Sequence, residues 1–131
     1  MFARIRRSME DKDQGFTLIE LLVVIIILGI LIAIAVPSYL SFKDRANNNA
    51  AQANIRAITP SIESWYSDNG TYVGMTLALL KSTYDQAIVV GNYSLGSVAP
   101  TATSYCIQST SNGKTWSKTG PAGVLANAAC P

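Results

Sequence analysis

Histidine is absent from this chain of 131 residues, and with it the usual general base and the commonest metal ligand. Acidic residues stop at Asp85, so the C-terminal region has no carboxylates with which to build a calcium site. The chain has only two cysteines, and they lie too far apart for the close pairs of zinc or redox motifs. We therefore expect no catalytic residue, no cofactor and no metal, and a structural or binding protein in place of an enzyme.

Charged residues are also scarce, at 14% against about a quarter in a typical soluble protein. The length supports one domain, so the deficit indicates a membrane segment. Residues 16–36 supply one, because they are almost wholly apolar and Leu21–Val36 carries no charge. A helix of this length, rising about 1.5 Å per residue, spans a hydrocarbon core of about 30 Å. The basic segment 1–15 favours a cytoplasmic N-terminus, against the smaller opposing signal of Lys43 and Arg45.

Three simpler interpretations of the apolar segment stay open on these features alone. Ala33-Ile34-Ala35 imitates a signal-peptidase site, but the apolar core is longer than that of a secretory signal and it contains Glu20. Arg6-Arg7 is a weak indication of twin-arginine export. A plain signal anchor explains the length and the orientation, but it does not explain the boundary at residues 15–20, where a Gly-Phe step leads into the Glu-bearing helix.

A second helical pattern follows the apolar segment. Apolar side chains recur in steps of three and four along one stripe: Ala51, Ile55, Ile58, Ile62, Trp65 and Tyr66. The residues between them predict the solvent-facing side: Asn47, Asn48, Asn49, Gln52, Asn54 and Arg56. One helix from Phe16 to about Ser67 is therefore predicted. It is apolar all round over 16–36 and amphipathic over 37–67, and Asp68-Asn69-Gly70 ends it.

Three residues weaken this helix. Pro37 removes a helical hydrogen bond and crowds the preceding turn, so we expect a kink or a meltable segment there. Gly29 is a second weak point, and Pro60 is expected to bend the helix again near Arg56. Ordinary tolerance of Gly and Pro in membrane helices is the simpler explanation of Gly29 and Pro37.

The remaining residues, 68–131, predict a small sheet. The expected elements are a short helix at 75–83 and strands at 88–90, 104–109 and 114–118, the last two joined by a hairpin turn at 111–113. Tyr105 and Ile107 share one strand face, and Cys106 and Gln108 share the other. We predict an α+β fold in which three or four antiparallel strands pack on the amphipathic half of the long helix.

The two cysteines, Cys106 and Cys130, both follow the membrane segment. An even pair in an exported region favours a disulfide, with two reduced thiols as the alternative. The bond would close a loop of about 25 residues and stabilise the fold by about 3.5 kcal/mol in the chain-entropy model.

One motif is compatible with ligand binding. Alternation along a strand places Lys114, Trp116 and Lys118 on one face. A ring between two cations is able to grip single-stranded nucleic acid or a glycan. Packing of Trp116 on the helix, with the lysine stems lying beside it, is the interpretation that we favour.

The boundary of the apolar helix resembles a known processing site. Gln14-Gly15-Phe16-Thr17-Leu18-Ile19-Glu20-Leu21-Leu22 is similar to the prepilin processing site of type IV pilins, and the likeness continues through Gly29 and Pro37-Ser38-Tyr39. The resemblance implies the type IV pilin fold, with a leader at 1–15 that a prepilin peptidase removes by cutting after Gly15. It also implies methylation of the new N-terminal residue, Phe16.

The same resemblance implies roles inside the apolar helix. Glu20 is a costly carboxylate in an apolar span, and it would pair with the free amine of Phe16 on a neighbouring subunit. A Glu close enough to the interface to reach water is the simpler alternative. The segment from Gly29 to Pro37 would unwind when subunits enter a filament, and the loop closed by the cysteines would lie on the filament surface.

As a type IV pilin, the chain would be a structural subunit of a pilus that serves adhesion, motility or DNA uptake. Its partners would be copies of itself, the prepilin peptidase, the pilus assembly machinery in the membrane and, before assembly, the lipid bilayer. The subunit would lie in the inner membrane with its N-terminus inside, and later in a pilus on the cell surface.

Two alternatives accompany this interpretation. The runner-up is a pseudopilin of a type II secretion or competence system. Major pseudopilins are expected to bind calcium in the C-terminal part, for which this chain lacks carboxylates after Asp85. The rival from another class is a monomeric membrane-anchored adhesin or binding module, which has no need of Gly15-Phe16 or Glu20.

Overall fold

The computed structural model of the chain describes residues 15–131, in two compact units divided between Leu40 and Ser41. We call residues 15–40 the N-terminal unit and residues 41–131 the head. The predicted leader lies outside the described residues except for Gly15.

The long helix, α1, comprises the 52 residues Leu18–Asn69 and runs through Pro37 and Pro60 without interruption. It ends where the sequence predicts, because Gly70 takes a left-handed conformation (φ 68°). The amide of Gly70 also donates to Tyr66 O at 2.7 Å, which satisfies one of the last carbonyls of the helix.

The part of α1 in the N-terminal unit is apolar and uncovered. Every residue from Leu18 to Val36 is exposed. An 18-residue window of the helix reaches a mean hydropathy of 3.3, and none of that window is buried. By length and composition this is a helix able to cross a membrane, and the only such helix among the described residues.

The head contains a second helix and four short strands. The elements are α2 (Leu77–Thr83), a 3₁₀ turn (Val90–Asn92), β1 (Tyr93–Leu95), β2 (Tyr105–Ser111), β3 (Lys114–Gly120) and β4 (Leu125–Ala126). The strands form one antiparallel sheet in the order β1-β2-β3-β4. The predicted α+β fold with a small antiparallel sheet is confirmed.

The β2–β3 hairpin follows its sequence signal closely. Ser111 pairs with Lys114, and the two residues between them have positive φ, 45° at Asn112 and 82° at Gly113. An Asn-Gly pair suits this two-residue turn because its twist matches that of the flanking strands. The turn therefore fixes the register in which Trp116 faces Ser109.

The amphipathic part of α1 packs on this sheet as predicted. Ala51, Ile55, Ile58 and Ile62 are fully buried, and the three isoleucines join one cluster with residues of the sheet and of the loop that follows α1. Burying an isoleucine side chain stabilises a fold by about 1.5–3 kcal/mol, so this stripe is a main source of the head's stability. Tyr66, the last residue of the predicted stripe, is 37% exposed at the edge.

Glu63 ties the end of this core together. Its Oε2 accepts the hydroxyl of Tyr72 at 3.0 Å, and its Oε1 accepts the hydroxyl of Tyr105 at 3.1 Å. Burial, reinforced by the bond to Glu63, raises the pKa of Tyr72 to about 12. Gly120 completes the arrangement, because a Cβ there would collide with the Tyr105 ring.

Asparagines on the predicted solvent-facing side of α1 instead connect the helix to the sheet. Asn48 Oδ1 accepts the indole N–H of Trp116 at 2.9 Å. Asn54 donates to Ser109 Oγ at 3.0 Å, and Asn47 accepts from Asn112 at 3.1 Å. The exposed assignment is therefore wrong for these three positions, because polar groups on β2, on β3 and in the turn between them need hydrogen-bond partners from the helix.

The predicted strand at 88–90 is also wrong. The amide of Ile88 donates to Asp85 O at 3.2 Å, and its carbonyl accepts Lys81 Nζ at 2.6 Å. These local bonds occupy the backbone groups that a strand would need, and a 3₁₀ turn begins at Val90. The strand forms immediately afterwards as β1.

The short helix predicted at 75–83 is present as α2, two residues shorter at its start. Thr76 provides the N-cap, because its hydroxyl accepts the amide of Leu79 at 3.2 Å.

Candidate functional site

The start of α1 carries a reciprocal cap that includes Glu20. The carboxylate Oε2 accepts the amide of Thr17 at 2.8 Å and its hydroxyl at 2.9 Å. In return the amide of Glu20 donates to Thr17 Oγ1 at 3.3 Å. This is a capping box, the Thr-x-x-Glu arrangement that satisfies free amides in the first turn of a helix.

The capping box fixes the orientation of the Glu20 carboxylate. Both bonds from Thr17 reach the same oxygen, Oε2, and within residues 15–131 Oε1 accepts no hydrogen bond. The carboxylate is thus oriented by its own chain and keeps one oxygen for another donor. Sequence reasoning missed the role of Thr17, although the spacing Thr17-Leu18-Ile19-Glu20 is the signature of such a cap.

Gly15 and Phe16 precede the cap and are accessible. Both residues are exposed and lie outside the helix, which begins at Leu18. The Phe16 ring is 87% exposed, and no atom would lie within 4 Å of a Cβ added to Gly15. Exposed, non-helical backbone next to a small residue suits the narrow cleft of a protease, so the geometry is compatible with the predicted cut between these two residues.

The two predicted weak points of α1, Gly29 and Pro37, lie within continuous helix. A Cβ added at Gly29 would meet no neighbour, so close packing within the chain does not explain the glycine. The expected loss of helix concerns the filament, and it stays a prediction.

The cysteines form the predicted disulfide. Cys106 and Cys130 are joined, with their Cα atoms 5.8 Å apart. Cys106 lies in β2, and the amide of Cys130 donates to Gln108 Oε1 on the same strand at 2.7 Å. Gly96 lets the tail approach, because a Cβ there would lie 2.9 Å from the Cβ of Cys130. The bond therefore fixes the C-terminal tail to a central strand.

Trp116 packs on the helix, in agreement with the interpretation that the sequence favoured. The ring is half-buried against the core, and its N–H is taken by Asn48. Lys114 is 3.3 Å from Asp44 on α1. The N–H of the ring and the ammonium of Lys114 are therefore both engaged within the chain.

Comparison with known proteins identifies the family. The N-terminal residues 11–36 match the model of the prokaryotic N-terminal methylation motif. The chain is 37% identical over 108 residues to the major component of the type IV wide pilus of Thermus thermophilus, an alignment that covers 79% of this chain and 78% of that protein. The chain belongs to the type IV pilin family. As a pilin it is a structural subunit and not an enzyme.

Shorter matches agree with this assignment. The type IV major pilin of Myxococcus xanthus is 39% identical over 61 residues, which is 47% of this chain but only 28% of that protein. Core protein G of the type II secretion system of Pseudomonas aeruginosa is 43% identical over 61 residues, 47% of this chain and 43% of its own. The alignment with the Thermus pilin is longer than the residues up to the end of α1, so it continues past α1 into the residues that follow the long helix.

Proposed function

We propose that this pilin polymerises into a type IV pilus through the exposed apolar part of α1. The observation that carries the proposal is an uncovered apolar stretch, Leu18–Val36, in a chain whose head has a closed core of its own. Such a stretch must be covered by lipid or by copies of itself, because exposing this much apolar surface to water is unfavourable. Lipid covers it before assembly and neighbouring subunits cover it afterwards.

Processing comes first in this proposal. A prepilin peptidase removes the leader 1–15 by cutting after Gly15, and Phe16 becomes the methylated N-terminus. The basic leader keeps that end in the cytoplasm, so the head lies outside the inner membrane. The assembly machinery then draws the subunit into a filament on the cell surface, where it serves adhesion, motility or DNA uptake.

The expected result is surface filaments whose subunit begins at Phe16. Electron microscopy of filaments sheared from cells, with mass spectrometry of the intact subunit, checks both points. Gly15→Arg should leave uncut precursor in the membrane and no filaments, whereas Gly15→Ala, which keeps a small side chain, should be processed. Subunits in filaments that still begin at Met1, or that begin after Ala35, would refute the proposed cut.

A second candidate function has one observation in its favour. The 43% identity to core protein G of the Pseudomonas type II secretion system makes a pseudopilin the alternative. The longer alignment with the Thermus pilus component supports the pilus. A cell that carries this chain but displays no surface filaments, and loses secretion of a folded protein when the chain is deleted, would favour the alternative.

We further propose that the segment from Gly29 to Pro37 loses its regular hydrogen bonds in the filament. The single chain keeps it helical, as a lipid environment requires, because free backbone groups are costly in hydrocarbon. Packing between subunits removes that requirement, and Pro37 already lacks one helical hydrogen bond. A filament reconstruction should show a stretched segment there, and an unbroken helical ladder from residue 29 to 37 would contradict the proposal.

A further inference from the structure

A cleft in the head has a cationic rim. It lies between α1 and the connection from β3 to β4, and its volume is about 260 Å³. The lining residues are Ile55, Arg56, Thr59, Lys118, Gly123 and Leu125. Ile55 belongs to the core and Leu125 packs against it, so an apolar floor lies beneath the two positive side chains.

These two cations have no acidic partner in the described chain. Within residues 15–131 the one salt bridge joins Lys114 to Asp44, which leaves both Arg56 and Lys118 without a carboxylate. Arg56 makes a long hydrogen bond of 3.4 Å to Gln52 Oε1, and most of its five N–H donors stay available. A guanidinium and an ammonium beside one cleft suit a carboxylate, whose two oxygens match the guanidinium fork.

The carboxylate that could occupy this cleft can be sought among the acidic side chains of the head itself. Of the four side-chain carboxylates in the head, Asp44 pairs with a cation, Glu63 accepts two hydroxyl groups and Asp85 accepts an amide of its own turn. Among the described residues Asp68 has no cation partner, and unlike Glu63 and Asp85 it is exposed. It lies in the last turn of α1, where its Oδ2 accepts the hydroxyl of Tyr84 at 2.8 Å. A negative charge at that end opposes the helix dipole, so helix stability does not explain its position.

Geometry places Asp68 out of reach of the cleft in its own chain. It follows Arg56 by twelve residues on one helix, which is about 18 Å along the axis and about a third of a turn around it. A contact between the two groups therefore requires a second copy of the chain, beside the first and displaced by about 18 Å if the helices are parallel. Such a contact joins different surfaces of the two copies, and the axial displacement keeps it from closing into a ring, so it repeats along a chain of subunits.

We propose that the Arg56–Lys118 cleft receives Asp68 from a second copy of this chain. The inference rests on the proposed polymerisation and names a contact between heads within it. The ion pairs hold neighbouring heads in one axial register, which the apolar helices alone do not specify, since apolar attraction is non-directional.

Zero-length cross-linking tests the contact directly. A water-soluble carbodiimide joins an amine to a carboxylate that touches it, and peptide mapping by mass spectrometry identifies the pair. Filaments of the unaltered chain should give a cross-link between Lys118 and Asp68 that detergent-solubilised monomers do not give. The pair Lys114–Asp44, 3.3 Å apart within one chain, should be cross-linked in both samples and is the internal control.

Charge exchange supplies a second test. Arg56→Glu should reduce filaments about tenfold by placing like charges together, and Asp68→Arg in the same chain should restore them. Asp68→Asn keeps an acceptor for Tyr84 and should still weaken assembly. Arg45→Glu makes the same charge change on the same helix outside the cleft, and it should leave filaments unchanged.

The outcomes separate this contact from the proposed function. Absence of filaments from the unaltered chain overturns polymerisation and the contact with it. Filaments without the Lys118–Asp68 cross-link overturn the contact alone. So do normal filaments from Arg56→Glu, or no recovery in the double variant when its Cys106–Cys130 disulfide shows that the head has folded.

Discussion

Replacing Glu20 with alanine is expected to abolish filaments while leaving the chain expressed, membrane-inserted and processed. A charged carboxylate in the apolar span costs up to about 3 kcal/mol near the bilayer centre, and less near its edge. The proposed cut after Gly15 would create a positive amine on Phe16, which the uncut precursor does not have. We propose that the amine of an incoming subunit neutralises the Glu20 of the subunit already in place, in a low dielectric that strengthens the pair.

The capping box makes a sharper version of this experiment necessary. Glu20→Ala removes the charge, but it also removes both hydrogen bonds from Thr17. Loss of such a cap costs a helix about 0.5–2 kcal/mol, so alanine alone does not separate the two effects. The structure offers a pair of variants that does.

Glu20→Gln keeps an acceptor that suits the cap position and removes the charge. Thr17→Ala removes the hydroxyl of the cap and keeps the charge. If charge pairing drives assembly, Glu20→Gln should lack filaments as Glu20→Ala does, whereas Thr17→Ala should retain them. The measurement is filament yield in sheared fractions, alongside the amount of processed subunit in the membrane.

Two results would count against charge pairing. One is a normal filament yield from Glu20→Ala, with the altered subunit shown to be in the fibre. The other is loss of filaments from Thr17→Ala with normal yield from Glu20→Gln, which would assign the effect to the start of the helix.

The fold was predictable where local signals and burial agree. The isoleucine stripe of α1 has helical spacing and meets a sheet, so period and packing indicate the same face. Asn112-Gly113 fixes a hairpin because few other residues take positive φ at both central positions of a turn. Gly70 ends α1 for a related reason.

The sequence-based prediction was wrong where contacts with distant residues determine the local structure. Ile88-Val89-Val90 has the composition of a strand, but the ammonium of Lys81 takes the carbonyl of Ile88. The sequence around Asn48 indicates a surface residue, but Trp116, 68 positions later in the chain, donates its indole N–H to it. Periodicity describes which side of a helix is apolar, and it does not identify the polar residues that a neighbouring sheet will engage.

The candidate functional residues also differ in how far the sequence alone predicts them. Gly15, Phe16 and Glu20 are recognisable from one contiguous block of sequence, whereas the cationic cleft joins Arg56 on α1 to Lys118 on β3. A motif of consecutive residues can be recognised from the sequence alone. A site built from two separate elements can be recognised only when the packing of the sheet on the helix is known.

Removing the disulfide is expected to cost the head about 3.5 kcal/mol in free energy of unfolding, from the entropy of a loop whose ends lie 24 positions apart. The loss of structure should begin in the C-terminal tail. Apart from the disulfide itself, the tail that follows β4 is tied to β2 by the hydrogen bond from the Cys130 amide to Gln108. In Cys130→Ser that hydrogen bond remains, and a single hydrogen bond contributes only about 1 kcal/mol.

Hydrogen exchange of the full-length chain in detergent should therefore show lost protection in the last residues and in β2, whereas the apolar part of α1 in the N-terminal unit should be unchanged. Cys106→Ser with Cys130→Ser is the matched control, because it removes the bond without leaving a free thiol. The double and single variants should have equally lowered thermal stability, since the lost constraint is the same. Thermal stability equal to that of the unaltered chain would contradict the expected contribution of the bond, and two alkylatable thiols in the native protein would contradict the bond itself.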